Sequence, residues 1–99
     1  DAIFVATPLL IAMGCLYCRQ CQLGRCPKGI TTQDQPLRKN FDIKEAAPNV
    51  ASYIRNCTEE IKMIAGACGK NNIHDLSKDD LRALTLEMVK ITGTRFISD

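Results

Sequence analysis

The chain has 99 residues, a length for one domain at most, and 45% hydrophobic with 24% charged residues excludes disorder. A formal net charge of +2 is too small to imply a nucleic-acid partner. From Cys15 to Lys39 the bases Arg19, Arg25, Lys28, Arg38 and Lys39 face the single acid Asp34, giving +4, so the remainder sums to −2.

The chain begins at Asp1 and runs into a short apolar stretch, residues 2–6, of the kind a buried parallel strand has. A lone strand cannot satisfy its backbone donors and acceptors, and no later segment offers an obvious partner. The expectation is a piece of something larger, cut within a domain. Thr7-Pro8 reads as a helix start, with Thr7 as the cap and Pro8 at the first helical position. The short helix carries Leu9, Leu10, Ile11 and Met13 and stops near Gly14. A strand, a tight turn and a helix start form a βα unit whose turn suits a phosphate, although any βα turn looks similar. The apolar start is too short to span a bilayer, has no basic segment before it and is interrupted by Pro8, so neither a membrane span nor a secretory signal is read.

Cys15, Cys18, Cys21 and Cys26 follow in a C-x2-C-x2-C-x4-C run with Pro27 directly after it. Four cysteines in one loop would make strained mutual disulfides, and a reducing, cytoplasmic compartment is expected. Cys15, Cys18 and Cys21 are expected on one face of a helical turn that Gly24 ends, with the irregular stretch through Gly29 returning Cys26 to the same place. Structural zinc sites gather two separated knuckles, whereas iron–sulfur clusters accept local C-x2-C-x2-C runs followed by C-P. On chemistry alone an iron–sulfur cluster leads, with zinc and reactive or structural thiols behind it. Cations near thiolates are reasonable neighbours, although a solvated basic loop accounts for them as well.

Residues 34–47 read as loop with short helical turns. The strongest helix follows, with Pro48 in its first turn. Val50, Ile54, Cys57, Ile61, Ile64 and Cys68 recur at steps of 4, 3, 4, 3 and 4, and Gly69 is a good stop. Cys57 and Cys68 fit small core positions better than ligand positions. His74 is a polar loop histidine. Ser77 caps a helix holding Leu81, Ala83 and Leu84, and Thr85 opens a second one ending before Gly93, a compact helical tail. No Ser/His/Asp set and no carboxylate pair with a cleft is present, so no catalytic residue is assigned.

If Cys18 is skipped, the cysteines read C-x5-C-x4-C, within Leu-Ile-Ala-Met-Gly-Cys, then Gln-Leu-Gly-Arg-Cys-Pro-Lys-Gly-Ile-Thr-Thr-Gln-Asp and Pro-Leu-Arg-Lys. This long motif closely resembles the flavin-binding synthase domain of glutamate synthase around its cluster loop. Asp1–Thr7 looks like that family's last barrel strand and its Gly-Thr turn, and Glu59-Glu-Ile-Lys-Met and His74-Asp-Leu-Ser-Lys-Asp-Asp-Leu look like its downstream helices.

The resemblance implies a partial domain over 1–99: residues 1–14 as the last barrel strand and helix start, 15–33 as the cluster loop and 34–99 as a helical C-terminal segment. The fold expected is mostly α, with one short N-terminal strand, resembling the terminal βα unit and C-terminal extension of a (β/α)8 barrel. The family barrel binds FMN beside a 3Fe–4S cluster. Electrons come from a reductase subunit, NAD(P)H or ferredoxin. Reduced FMN then delivers a hydride to 2-iminoglutarate, made from 2-oxoglutarate and glutamine-derived ammonia. Cys15, Cys21 and Cys26 match the cluster thiolates, and Ala6 and Thr7 match the turn near the FMN phosphate, with Ala6 in place of the usual glycine. Cys18 matches no ligand of the family pattern: it is read as a spare thiol, with a fourth ligand for a 4Fe–4S cluster as the alternative. The partners implied are the remainder of the synthase barrel and a reductase subunit or ferredoxin. The glutaminase domain and the other barrel strands are not in this sequence, so the chain alone is expected to make no glutamate. A stand-alone iron–sulfur electron-transfer module and a structural zinc module are the competing readings.

Overall fold

The computed structural model describes residues 3–99, which fall into two compact units, one ending at Cys57 and the other running over Thr58–Asp99. Helices dominate. No helix among the described residues is long and apolar enough to cross a membrane.

The first unit begins with residues 3–6, which form no strand; Ala2, the first residue of the expected strand, lies outside the described residues. The physical reason is the one raised by the sequence. A strand needs a neighbour for its backbone groups, and the strand pairing among the described residues lies elsewhere. Phe4 is fully exposed. Helix α1 spans Thr7–Ala12. Thr7 is its first residue and not its cap: Ala6 holds that place without a side-chain bond, and Pro8 sits in the first turn, one position later than expected. Gly14, at φ 98°, lets the chain leave the helix, and the Cys15 N–H donates back to the Leu10 carbonyl at 2.9 Å.

The cysteine segment runs from there to α2, Gln35–Arg38, which Asp34 caps by accepting from the Leu37 N–H at 3.0 Å. Two contacts seat the segment on α2 and the turn after it. The Asn40 side chain donates to the Pro27 carbonyl at 3.0 Å. Gly29, at φ 74°, lies so close that a Cβ there would stand 2.5 Å from the Leu37 carbonyl oxygen and 3.1 Å from the Phe41 nitrogen.

Helix α3 covers Ile43–Ala67 and begins five residues before Pro48, where the sequence suggested loop. Asp42 explains the early start: its carboxylate accepts from the Lys44 N–H at 2.8 Å and its carbonyl accepts from the Ala46 N–H. Pro48 therefore lies inside the helix and removes one donor from its ladder. Ala46, Val50, Tyr53 and Cys57 are at least partly covered, but Ile54, Ile61 and Ile64 of the expected stripe are exposed.

In the second unit α3 ends as expected, with Gly69 at φ 71° and the Lys70 N–H donating to the Ala65 carbonyl. The helix expected from Ser77 is instead one 3₁₀ turn, Lys78–Asp80. A reciprocal capping box joins Ser77 and Asp80 across it. Such a box satisfies the turn completely and releases the next residues into strand β1, Arg82–Ala83. Helix α4, Leu86–Thr92, has the Thr85 cap and the Gly93 stop that the sequence suggested. Strand β2, Arg95–Phe96, then returns parallel to β1 with Arg82 opposite Arg95. The tail is a small β-α-β unit in place of two helices. Lys78 donates to the Thr92 carbonyl at 3.1 Å, and Arg95 pairs with Asp79 at 3.1 Å.

The buried apolar residues are small: Cys26, Ala46, Ala65 and Ala83, and no large side chain among the described residues is fully buried.

Gly29→Ala combines the strain of a positive φ, about 1–2 kcal/mol, with a backbone collision. Gly24, at φ 65°, has open space where a Cβ would go. Gly29→Ala is therefore expected to lower the urea midpoint of unfolding clearly more than Gly24→Ala does.

Candidate functional site

The cysteine loop is shaped by its backbone. Tyr17 and Arg19, neither of them glycine, adopt positive φ values of 56° and 57° on either side of Cys18. Two such residues prevent a helix from running through Cys15 to Cys21, so the helical face expected for Cys15, Cys18 and Cys21 does not form. A tight irregular path replaces it. The Tyr17 N–H donates to the Cys15 sulfur at 3.3 Å, and the Arg19 guanidinium stacks over the Tyr17 ring at 5.0 Å. Cys21–Leu23 forms one 3₁₀ turn, closed by Gly24 in the left-handed region. The Thr32 hydroxyl donates to the Gly24 carbonyl and accepts from the Asp34 N–H, latching the turn to the start of α2.

This path achieves what the helix was expected to do. Cys15, Cys18, Cys21 and Cys26 all line one pocket, with Leu10, Leu16 and Ile30 among its apolar walls and Arg19 and Lys28 among its cations. The sulfurs stand around the pocket and not on one point: among the described residues no group of three or more His, Cys, Asp or Glu side chains stands ready to hold a metal ion. Cys26 is buried, Cys15 half-buried, and Cys18 and Cys21 are exposed.

Cys26 has the most developed surroundings. Burial raises its thiol pKa and is the largest single influence. It is outweighed by backbone N–H groups of Thr31, Ile30 and Lys28, which favour the thiolate and bring the value from 9.0 to about 7. The Thr31 hydroxyl also stands near enough to favour the thiolate, yet it is buried without a hydrogen bond of good geometry. Sequence reading passed over Thr31. Its signal was the Thr31-Thr32 pair, both hydroxyls falling within six residues of Cys26.

Ala6 and Thr7 are exposed at the start of α1, and the lining of the cysteine pocket does not include them. Cys57 and Cys68, read as core positions, are both half-buried.

A family profile described as a conserved region in glutamate synthase matches residues 1–71. An archaeal glutamate synthase (NADPH) of Archaeoglobus fulgidus is 38% identical over 89 residues, covering 88% of this chain and 17% of that protein. Its counterpart in Methanocaldococcus jannaschii is 40% identical over 88 residues, covering 87% of this chain and 17% of that protein. A glutamate synthase (NADH) of Schizosaccharomyces pombe is 40% identical over 74 residues, covering 74% of this chain and 3% of that protein. The chain thus spans about a sixth of the length of the archaeal relatives, 17%. No solved structure matches it.

The lowered Cys26 pKa has a pH signature in the metal-free protein. The unfolded thiol holds its proton up to about 9.0 and the folded one only to about 7, so the unfolded state binds more protons between these values. Stability from this group is full above the unfolded value and is lost as pH falls through about 7. A titration of the Cys26 ¹³Cβ chemical shift should show a midpoint near 7 in the folded protein and near 9 in urea.

Proposed function

The chain belongs to the glutamate synthase family, and from that premise we propose that it is the segment of a synthase that holds an iron–sulfur cluster on Cys15, Cys21 and Cys26. The observation that carries this reading is the convergence of all four cysteines on one pocket, with peptide N–H groups turned toward the sulfur of the buried one. The donor set fits the group. Thiolates are the ligands such clusters use, and each binds a different iron, so their sulfurs stand further apart than the ligands of one zinc ion. An orphaned hydroxyl donor beside Cys26 fits it as well. Three thiolates match a 3Fe–4S cluster, with Cys18 as an additional thiol.

A bound cluster supplies one-electron storage and transfer. The residues of this chain do the remaining work. The N–H groups of Thr31, Ile30 and Lys28 favour the Cys26 thiolate, the form that binds metal. Arg19 and Lys28 offset the negative charge of the thiolates. Leu10, Leu16 and Ile30 limit water at the sulfurs. Ala6 and Thr7 lie exposed at the start of a six-residue helix, where they would meet the FMN phosphate once the rest of the barrel completes the flavin site. The reductive amination of 2-oxoglutarate to glutamate and the docking of a reductase subunit or ferredoxin belong to the larger assembly, which also covers the exposed Ile54, Ile61 and Ile64.

Iron and sulfide assays on anaerobically purified synthase test the assignment. Cys15→Ala, Cys21→Ala and Cys26→Ala are each expected to lose the iron of this site, and Cys18→Ala to retain it. Zinc in place of iron in the unaltered protein would falsify the reading.

A further inference from the structure

Adjacent threonines in the cysteine loop have different fates. Thr32 is a latch, its hydroxyl bonded to the Gly24 carbonyl and the Asp34 N–H. Thr31 lines the cysteine pocket, and its hydroxyl oxygen is buried beside the Cys26 thiol without a hydrogen bond of good geometry. Buried hydroxyls are nearly always paired, and an exception at a binding pocket points to a partner that the ligand brings. The other walls nearby are apolar side chains, sulfurs and the cations Arg19 and Lys28, which only donate, so the side-chain acceptor this donor can meet is a sulfur. Sulfur accepts hydrogen bonds, and a donor beside a cluster sulfur favours the more negative, reduced state.

We propose that the Thr31 hydroxyl donates a hydrogen bond to a sulfur of the bound cluster and raises its reduction potential. This rests on the cluster reading above. Thr31 is then a tuning residue: it holds no iron and sets how readily the site takes an electron. Its neighbour Thr32 closes the loop through hydrogen bonds within the protein, which separates the two roles.

The test is a dithionite titration of the cluster-loaded holoprotein, followed by its electron spin signal, in wild type, Thr31→Val and Thr31→Ser. Valine keeps the shape and removes the donor, whereas serine keeps the donor. Thr31→Val is expected to make one-electron reduction about tenfold less favourable, a shift of about 59 mV to lower potential, with Thr31→Ser at the wild-type value. An unchanged midpoint in an iron-replete Thr31→Val protein overturns the proposal and leaves the cluster reading standing. Loss of iron in Thr31→Val that Thr31→Ser restores supports it. Loss of iron in both variants overturns it in favour of a packing role. A wild-type protein that binds no iron fails the cluster reading itself, and the Thr31 proposal with it.

Discussion

The approach of Gly29 to the backbone after α2 fixes the course of the chain beyond Cys26. With no side chain, and with its φ at 74°, Gly29 lets the segment turn tightly against Leu37 and Phe41. That turn faces the N–H groups of Lys28, Ile30 and Thr31 toward the Cys26 sulfur. Asn40 holds the segment from one side through Pro27, and Thr32 holds it from the other through Gly24. The thiol is buried without being neutralised because peptide dipoles replace the water it loses. Remove the close approach and the peptides need not point inward, so the acidity of Cys26 and the shape of the pocket depend on one missing methyl group.

The same loop shows how far a sequence can be read. That four closely spaced cysteines should meet was legible, because short tethers leave them few places to go. The route was not. A helical turn looked natural for C-x2-C-x2-C, but Tyr17 and Arg19 turn left-handed, a conformation that no propensity assigns to Tyr or Arg. The end of α3 at Gly69 and the whole of α4 were plain, since each carries its own cap or stop. The early start of α3 was present as Asp42-Ile-Lys-Glu, a cap followed by an acid three residues later, and was overshadowed by Pro48. Ser77 misled in the opposite way: a perfect cap signals that a turn begins and says nothing about its length. The Thr31-Thr32 pair placed hydroxyls near Cys26, but which of them lacks a well-made hydrogen bond is decided only in three dimensions.

The interior of the protein is sparse. Among the described residues the buried ones are three alanines, Cys26, Gly29, Thr32 and Thr94, while Ile54, Ile61 and Ile64 are exposed along a helix of 25 residues. Alanine burial removes little apolar area from water, and area is what the hydrophobic effect rewards. The archaeal glutamate synthases that this chain resembles are about five times longer, and a surface of this kind suits a segment that shares its core with its neighbours. Local devices carry much of the order: the Ser77–Asp80 capping box, glycine stops and the parallel pair of β1 and β2 around α4.

The gathering of the four sulfurs also bears on the order in which a site of this kind is made. Cys15 and Cys26 are eleven residues apart, so closing their loop restricts a short tether and little else. Loop-closure entropy grows with the logarithm of tether length, and ligands scattered over a whole barrel would have to wait for the barrel. Here the tethers are already short. If the proposed cluster is held here, its ligands can be gathered before long-range folding is complete.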